Sequence, residues 1–310
     1  MYRNENVSEE NTLPTEGGAI PALSREPDAG HAPTPSSGLR HVIALELAES
    51  LRARWFLVYA LVFPGLVALL FAFTLTESRV LGFMGLSRLL VTYIQVCMAI
   101  LPIFVLVTTV RSVAGDREAG IFEYLLALPI GLGAWYWGRI IARFGLVFVP
   151  VFIALLGAAS WGWIQDIPFQ ASTLAIYSAL LLALTACFLG IGMLISVLAR
   201  SVDAAQGSAF VLWLFLVLFL DLILLGTLIE EHITAETAVA IALANPLQVF
   251  RTAAMALFDP DLVLLGPAAF VILDFFGHKG FLAWAVFYPT ALGSLCALLG
   301  FWRFRNSDLP

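Results

Sequence analysis

The chain has 310 residues, 61% of them hydrophobic, with a mean hydropathy of +0.94 and a net charge of −6. That apolar content excludes an ordinary soluble domain, in which roughly half of the residues are apolar, and the acidic balance predicts no nucleic-acid partner. A membrane resolves the excess, since a helix crosses about 30 Å of hydrocarbon with roughly 20 apolar residues.

Residues 1–38 stand apart, rich in Pro, Gly, Ser, Thr and Glu and without an apolar run. Such a segment buries too little surface to offset its ordering entropy, so a disordered cytoplasmic tail is expected. It also lacks the apolar core and cleavage site of a signal peptide. Next comes LRHVIALELAESLRARW, where Val42, Leu45, Leu47 and Leu51 alternate with Glu46, Glu49, Arg52 and Arg54. That spacing predicts an amphipathic helix lying at the membrane interface.

Six apolar runs follow, at about 55–75, 88–110, 136–161, 173–198, 207–229 and 281–302. The sequence thus predicts an all-α, polytopic membrane domain over 39–305 with six transmembrane helices. With the N-terminus inside, every Lys and Arg except Arg79, Arg88, Arg251 and Lys279 falls on the cytoplasmic side. The positive-inside rule therefore places both termini in the cytoplasm. Residues 230–280 become the long external loop, with short interfacial helices; Asn245-Pro246 is its helix-start signal. Pro64, Pro102 and Pro150 lie inside spans, where neighbouring helices must satisfy the backbone groups they free. Gly138/Ala142, Ala154/Ala158 and Ala186/Gly190 repeat at a spacing that permits close helix packing.

Between the second and third runs stands RSVAGDREAGIFEYLLALPI, a charged cytoplasmic insert in an otherwise apolar neighbourhood. Asp116 is placed to cap a short helix. Ile121, Phe122, Leu125 and Leu126 would line one face of it, and Pro129 would end it. So small an apolar stripe forms no domain of its own. It lies on the membrane, packs on its own bundle, or enters a partner's groove.

The run G-D-R-E-A-G-I-F-E-Y-L-L-A-L-P resembles the coupling segment of ABC-2-type transporter permeases. The six-span layout and the amphipathic lead-in fit the same resemblance, which covers about 40–305. It implies that Asp116, Arg117, Glu118, Phe122, Glu123, Leu125 and Leu126 dock on a separate ATP-binding subunit. It also implies a homodimer in a bacterial or archaeal inner membrane, with ATP and Mg carried by the partner ATPase and no cofactor on this chain. The stretch SVLARSVDAAQGSAFVLWLFLVLFLDLILLGTL, followed by ANPLQVFR, is similar to NosY-type permeases of nitrous oxide reductase maturation. The carried positions are Asp203, Trp213, Asp221, Asn245, Pro246 and Arg251, and a periplasmic partner at the outer loop is implied. Where the usual pattern has a small-polar and acidic pair after Asn245-Pro246, this chain has Leu247 and Gln248.

Asp221, near the middle of the fifth run, costs about 2.5–3.5 kcal/mol on insertion scales and must face the bundle interior or water. It is either a substrate-path or proton-linked residue, or a protonated carboxyl bonded across an interface. A P-loop in this chain is excluded, because the one lysine, Lys279 in FFGHKGF, lacks the glycine spacing and the Ser or Thr that follow. Cys97, Cys187 and Cys296 sit singly in apolar runs and read as small buried hydrophobes; no metal site or catalytic group is expected. Besides the permease function, two readings stay open: a general exporter of lipid-like or small molecules, and an ion-coupled carrier using Asp221.

Overall fold

A computed structural model describes residues 35–81, 83–122, 124, 130–164, 171–219, 234–257 and 267–306. These residues are helical or in turns between helices, and no strand occurs among them. The helices are α1 (Pro35–Arg52), α2 (Arg54–Leu81), α3 (Phe83–Glu118), α4 (Leu132–Ile164), α5 (Ala171–Leu198) and α6 (Val202–Leu214). They continue as α7 (Ala235–Leu243), α8 (Pro246–Ala256) and α9 (Pro267–Arg305). A π-helical turn, Phe215–Phe219, extends α6. Helix α1 begins at Pro35, inside the stretch expected to lack structure; the rest of that tail lies outside the described residues.

Among the described residues, four helices are long and apolar enough to cross a membrane: Ile94–Glu118, Leu132–Gly157, Ala171–Leu198 and Phe270–Arg305. The pair α7 and α8, bent by 104°, makes up to five. Four of the six expected spans thus have the length to cross; at the first and fifth the described residues hold shorter apolar helices, Phe56–Leu66 and Val202–Leu218, and the bent pair α7–α8 falls in the stretch read as an external loop. The fifth run continues into residues 220–233, outside the described ones, and Asp221 lies there.

Helix α5 is the centre of the bundle, packed along α9 on one side and α3 on another. Glycine makes this possible: a Cβ added at Gly190 would collide with the Gly293 carbonyl of α9. Two residues on, and on the opposite face, a Cβ at Gly192 would stand 3.0 Å from Thr109 Cβ of α3. At Gly138 of α4 a Cβ would come 2.8 Å from Val42 Cγ1 of α1. The small-residue pattern in the sequence thus marks a backbone-to-backbone approach at Gly190 and a close side-chain approach at Gly138.

The prolines show how a buried helix tolerates a missing N–H. Trp213 Nε1 of α6 donates to Ala99 O, three residues before Pro102, at 3.2 Å. Tyr59 of α2 donates its hydroxyl to Val147 O, three residues before Pro150, at 3.3 Å, and stacks on Phe104. Thr290 does the same within α9 for Val286 O, three residues before Pro289, at 2.7 Å. In each case the loosened turn gains a side-chain donor.

Sequence reasoning placed one span at 281–302 and a loop before it. The structure instead carries helix back to Pro267 and breaks it at Gly277, with φ 64 and ψ 163. That conformation lies in the region only glycine adopts without strain.

Candidate functional site

The charged insert is built as a junction of helix ends. Helix α3 does not stop at Asp116, as a cap would require, but runs on to Glu118 and turns at Gly120, whose φ is 66. Asp116 therefore sits on the last helical turn and points at α4. Its Oδ2 lies 2.6 Å from Arg139 Nη1, which also donates to Ser112 O at 2.9 Å. Arg139 Nε reaches Glu46 Oε2 of α1 at 3.2 Å, and Arg143, one turn along α4, meets Glu46 Oε1 at 2.7 Å. Arg143 also donates to Thr108 O. Two acids and two bases on α1, α3 and α4 thus neutralise one another, with Glu46 only 7% exposed. The guanidinium of Arg139 lies 4.2 Å over the Trp135 ring, a further contact favourable to a partly dry cation.

Arg117 and Glu118 tie the same turn to the α5–α6 corner. Arg117 Nη1 donates to Ala199 O at 2.8 Å and to Val197 O at 3.4 Å, satisfying carbonyls at the C-terminal end of α5. Glu118 Oε2 accepts from Val202 N at 3.1 Å, the first residue of α6, where a negative charge complements the helix dipole. Ser196 of α5 accepts from both Val113 N and Ala114 N, at 2.9 and 3.1 Å.

Beyond Gly120 the chain is again helical at Ile121, Phe122 and Tyr124. Phe122, at 3% exposure, enters an aromatic cluster of this chain, 5.6 Å from Trp135 and 5.7 Å from Phe304 at the end of α9. Tyr136 closes the cluster, its hydroxyl donating to Ala297 O at 2.9 Å. Ile121 and Tyr124 face outward, Tyr124 at 75% exposure. Glu123, Leu125, Leu126 and Pro129 lie outside the residues whose placement is described.

The predicted outer-loop residues sit at the bend between α7 and α8. Asn245, 1% exposed, caps α8 by accepting from Leu247 N at 3.0 Å, with Pro246 as the first residue of the helix. Its Nδ2 donates to Leu216 O at 2.7 Å, inside the π turn of α6, so one side chain serves two elements. Arg251 is half-buried on α8, whose Leu247, Val249, Phe250 and Ala254 are buried in the bundle. This short helix is not a loop resting on the surface; it is packed against α3, α5 and α9.

Sequence reasoning missed the Glu46 pairs and the roles of Ser196, Trp135 and Phe304. The signal for the first was available: Arg139 and Arg143, four apart, open an apolar run and need an acid in reach. None of the three cysteines is in a disulfide, and Cys97 and Cys187 are buried. Among the described residues no three His, Cys, Asp or Glu side chains converge as a metal site.

A multi-helix integral membrane protein whose charged insert is bonded to four other helices is the class this geometry defines. Residues 40–309 match the model of the ABC-2 family transporter proteins, and the chain belongs to that family of transporter permeases. It is similar to a protein of Pseudomonas aeruginosa named "Probable ABC transporter permease protein NosY", 25% identical over 221 residues, 69% of this chain and 80% of the relative. A Stutzerimonas stutzeri protein of the same name is 25% identical over 264 residues, 78% of this chain and 95% of the relative.

Proposed function

We propose that two copies of this chain form the transmembrane unit of an ATP-driven complex in a bacterial or archaeal inner membrane, both termini cytoplasmic. Two separate ATPase subunits, holding ATP and Mg, dock on the 114–129 segments. The observation that carries the reading is the bonding of the insert. Asp116, Arg117, Glu118 and Phe122 join it to α4, and through Arg139 to Glu46 of α1, to the α5–α6 corner and to the end of α9. A push on this segment is therefore a push on the whole bundle.

The roles divide by bonding within the chain. Asp116, Arg117, Glu118 and Phe122 hold the segment in place, while Ile121 and Tyr124, with Glu123, Leu125 and Leu126, meet the ATPase. At the opposite face, the bend with Asn245, Pro246 and Arg251 meets a periplasmic partner. The resemblance to NosY-type permeases and the names of both relatives support a role in nitrous oxide reductase maturation. Transport or force transmission is the output.

The test is a mild-detergent purification of the tagged chain from its own host, with mass spectrometry of what accompanies it. A P-loop ATPase is expected, and a third, exported subunit with it. Tyr124→Asp with Ile121→Asp should remove the ATPase while the chain stays folded, since both side chains are exposed. A chain that comes out alone, unaffected by those changes, overturns the reading in favour of a carrier built around Asp221.

A further inference from the structure

At the end of the bundle remote from the insert, α7 and the two halves of α9 leave an open groove of about 530 Å³. About 30 Å of helix separates Trp284 on its wall from Phe304 in the aromatic cluster, which is the thickness of a hydrocarbon core. The groove exists because α9 breaks at Gly277, so that its halves form two walls, with α7 as the third. Val239 and Leu243 of α7 face Ile272 and Phe276 before the break and Trp284 after it. At one end Tyr288 donates its hydroxyl to Ala244 O and closes the slot. At the other, about 12 Å away along α7, stands the exposed carboxylate of Glu236.

The volume falls within the range of roughly 300–1,000 Å³ usual for ligand sites. An apolar slot with one charge at its mouth takes an apolar chain carrying a cationic group. The surroundings supply one: Phe275 on its wall, with Phe270 and Phe287 on the same helix, is exposed, and that helix is long and apolar enough to cross a membrane. A second copy of this chain is the weaker occupant, since a like pairing brings two Glu236 carboxylates to a groove whose lining holds no base. We infer that the groove binds one acyl chain of a membrane lipid whose headgroup carries an amine, held at its mouth by Glu236. This goes beyond the transport reading and does not depend on ATPase docking.

The experiment is native mass spectrometry of the full chain, released from bilayers of equal parts phosphatidylethanolamine and phosphatidylglycerol. One retained phosphatidylethanolamine per chain is expected. Ala240→Trp and Leu243→Trp, which fill the groove, should each lower retention about tenfold or more. Glu236→Lys, a surface change, should keep the lipid but turn the preference to phosphatidylglycerol. Three results overturn the inference: no retained lipid, retention equal in the filled-groove variants, or a headgroup preference that Glu236→Lys leaves unchanged. Chains joined by a disulfide through Ala240→Cys with the lipid absent would overturn it also, and identify a second copy as the occupant.

Discussion

The two ends of this molecule are held together by different chemistry. At the insert end, the chain spends charged side chains on tying helix termini to each other: Glu46, Asp116, Arg117, Glu118, Arg139 and Arg143 all bond within the chain. At the groove end, the ties are two caps, one asparagine bridge and a tyrosine hydroxyl, and an apolar cleft stays open between them. The lesson is that charge alone does not mark a contact surface. The most charged stretch of the sequence supplies much of the polar glue of its own bundle, and its outward contacts fall to Ile121 and Tyr124.

The comparison can be broken at its strongest point first. Glu46→Ala takes from Arg143 its carboxylate in a poorly hydrated place and leaves Arg139 with Asp116 alone, and breaking such a pair costs about 3–5 kcal/mol. The expected result is the largest drop in detergent melting temperature among the variants described, with α1 released to protease. Adding Arg143→Leu to Glu46→Leu should recover much of that loss, because two matched apolar groups replace two charges. If the double variant were as unstable as Glu46→Ala, the pair would not be the tie. Next in size, Gly293→Val forces α5 and α9 apart and should cost about 1–3 kcal/mol or more by overpacking. Melting that matches the parent would mean the helices can part freely there.

Smaller effects sharpen the contrast at the other end. Asn245→Ala removes a cap, worth about 1 kcal/mol, and leaves Leu216 O unpaired at a further cost of about 1–3 kcal/mol. Asn245→Asp keeps the cap but not the donor, so comparison of the two by thermal melting separates the contributions. The smallest change is expected at Tyr124→Asp, within about 0.5 kcal/mol of the parent; a marked loss of stability would show that Tyr124 packs on this chain.

Much of the architecture was legible because its cause is local. Runs of about 20 apolar residues, the small residues at Ala186 and Gly190, the prolines and the Asn245-Pro246 start signal each announce themselves by type and spacing. The family resemblance was carried by the insert in the same way. What the sequence concealed depends on partners distant along the chain. Glu46 reads as the polar face of an amphipathic helix, whereas its partners lie 93 and 97 residues away in Arg139 and Arg143. Phe122 reads as a residue for a partner's groove, and only the fold brings Phe304 beside it. The break at Gly277 was hidden because FFGHKGF, with its two glycines and charged neighbours, read as the end of the 230–280 loop rather than as a bend between two helices, and it decides where the groove lies.

The contact of Gly190 with Gly293 has one more consequence. Backbone against backbone leaves no side chains to yield, so α9 is held closest to α5 at this point of their long shared seam. On α9 that point falls about 16 Å from Phe304 and about 14 Å from Trp284, near the balance of the two arms. A tilt that draws Phe304 inward with the insert would then swing Trp284 outward by a nearly equal distance. A rigid tilt of α9 about the glycine pair would thus couple the aromatic cluster to the groove.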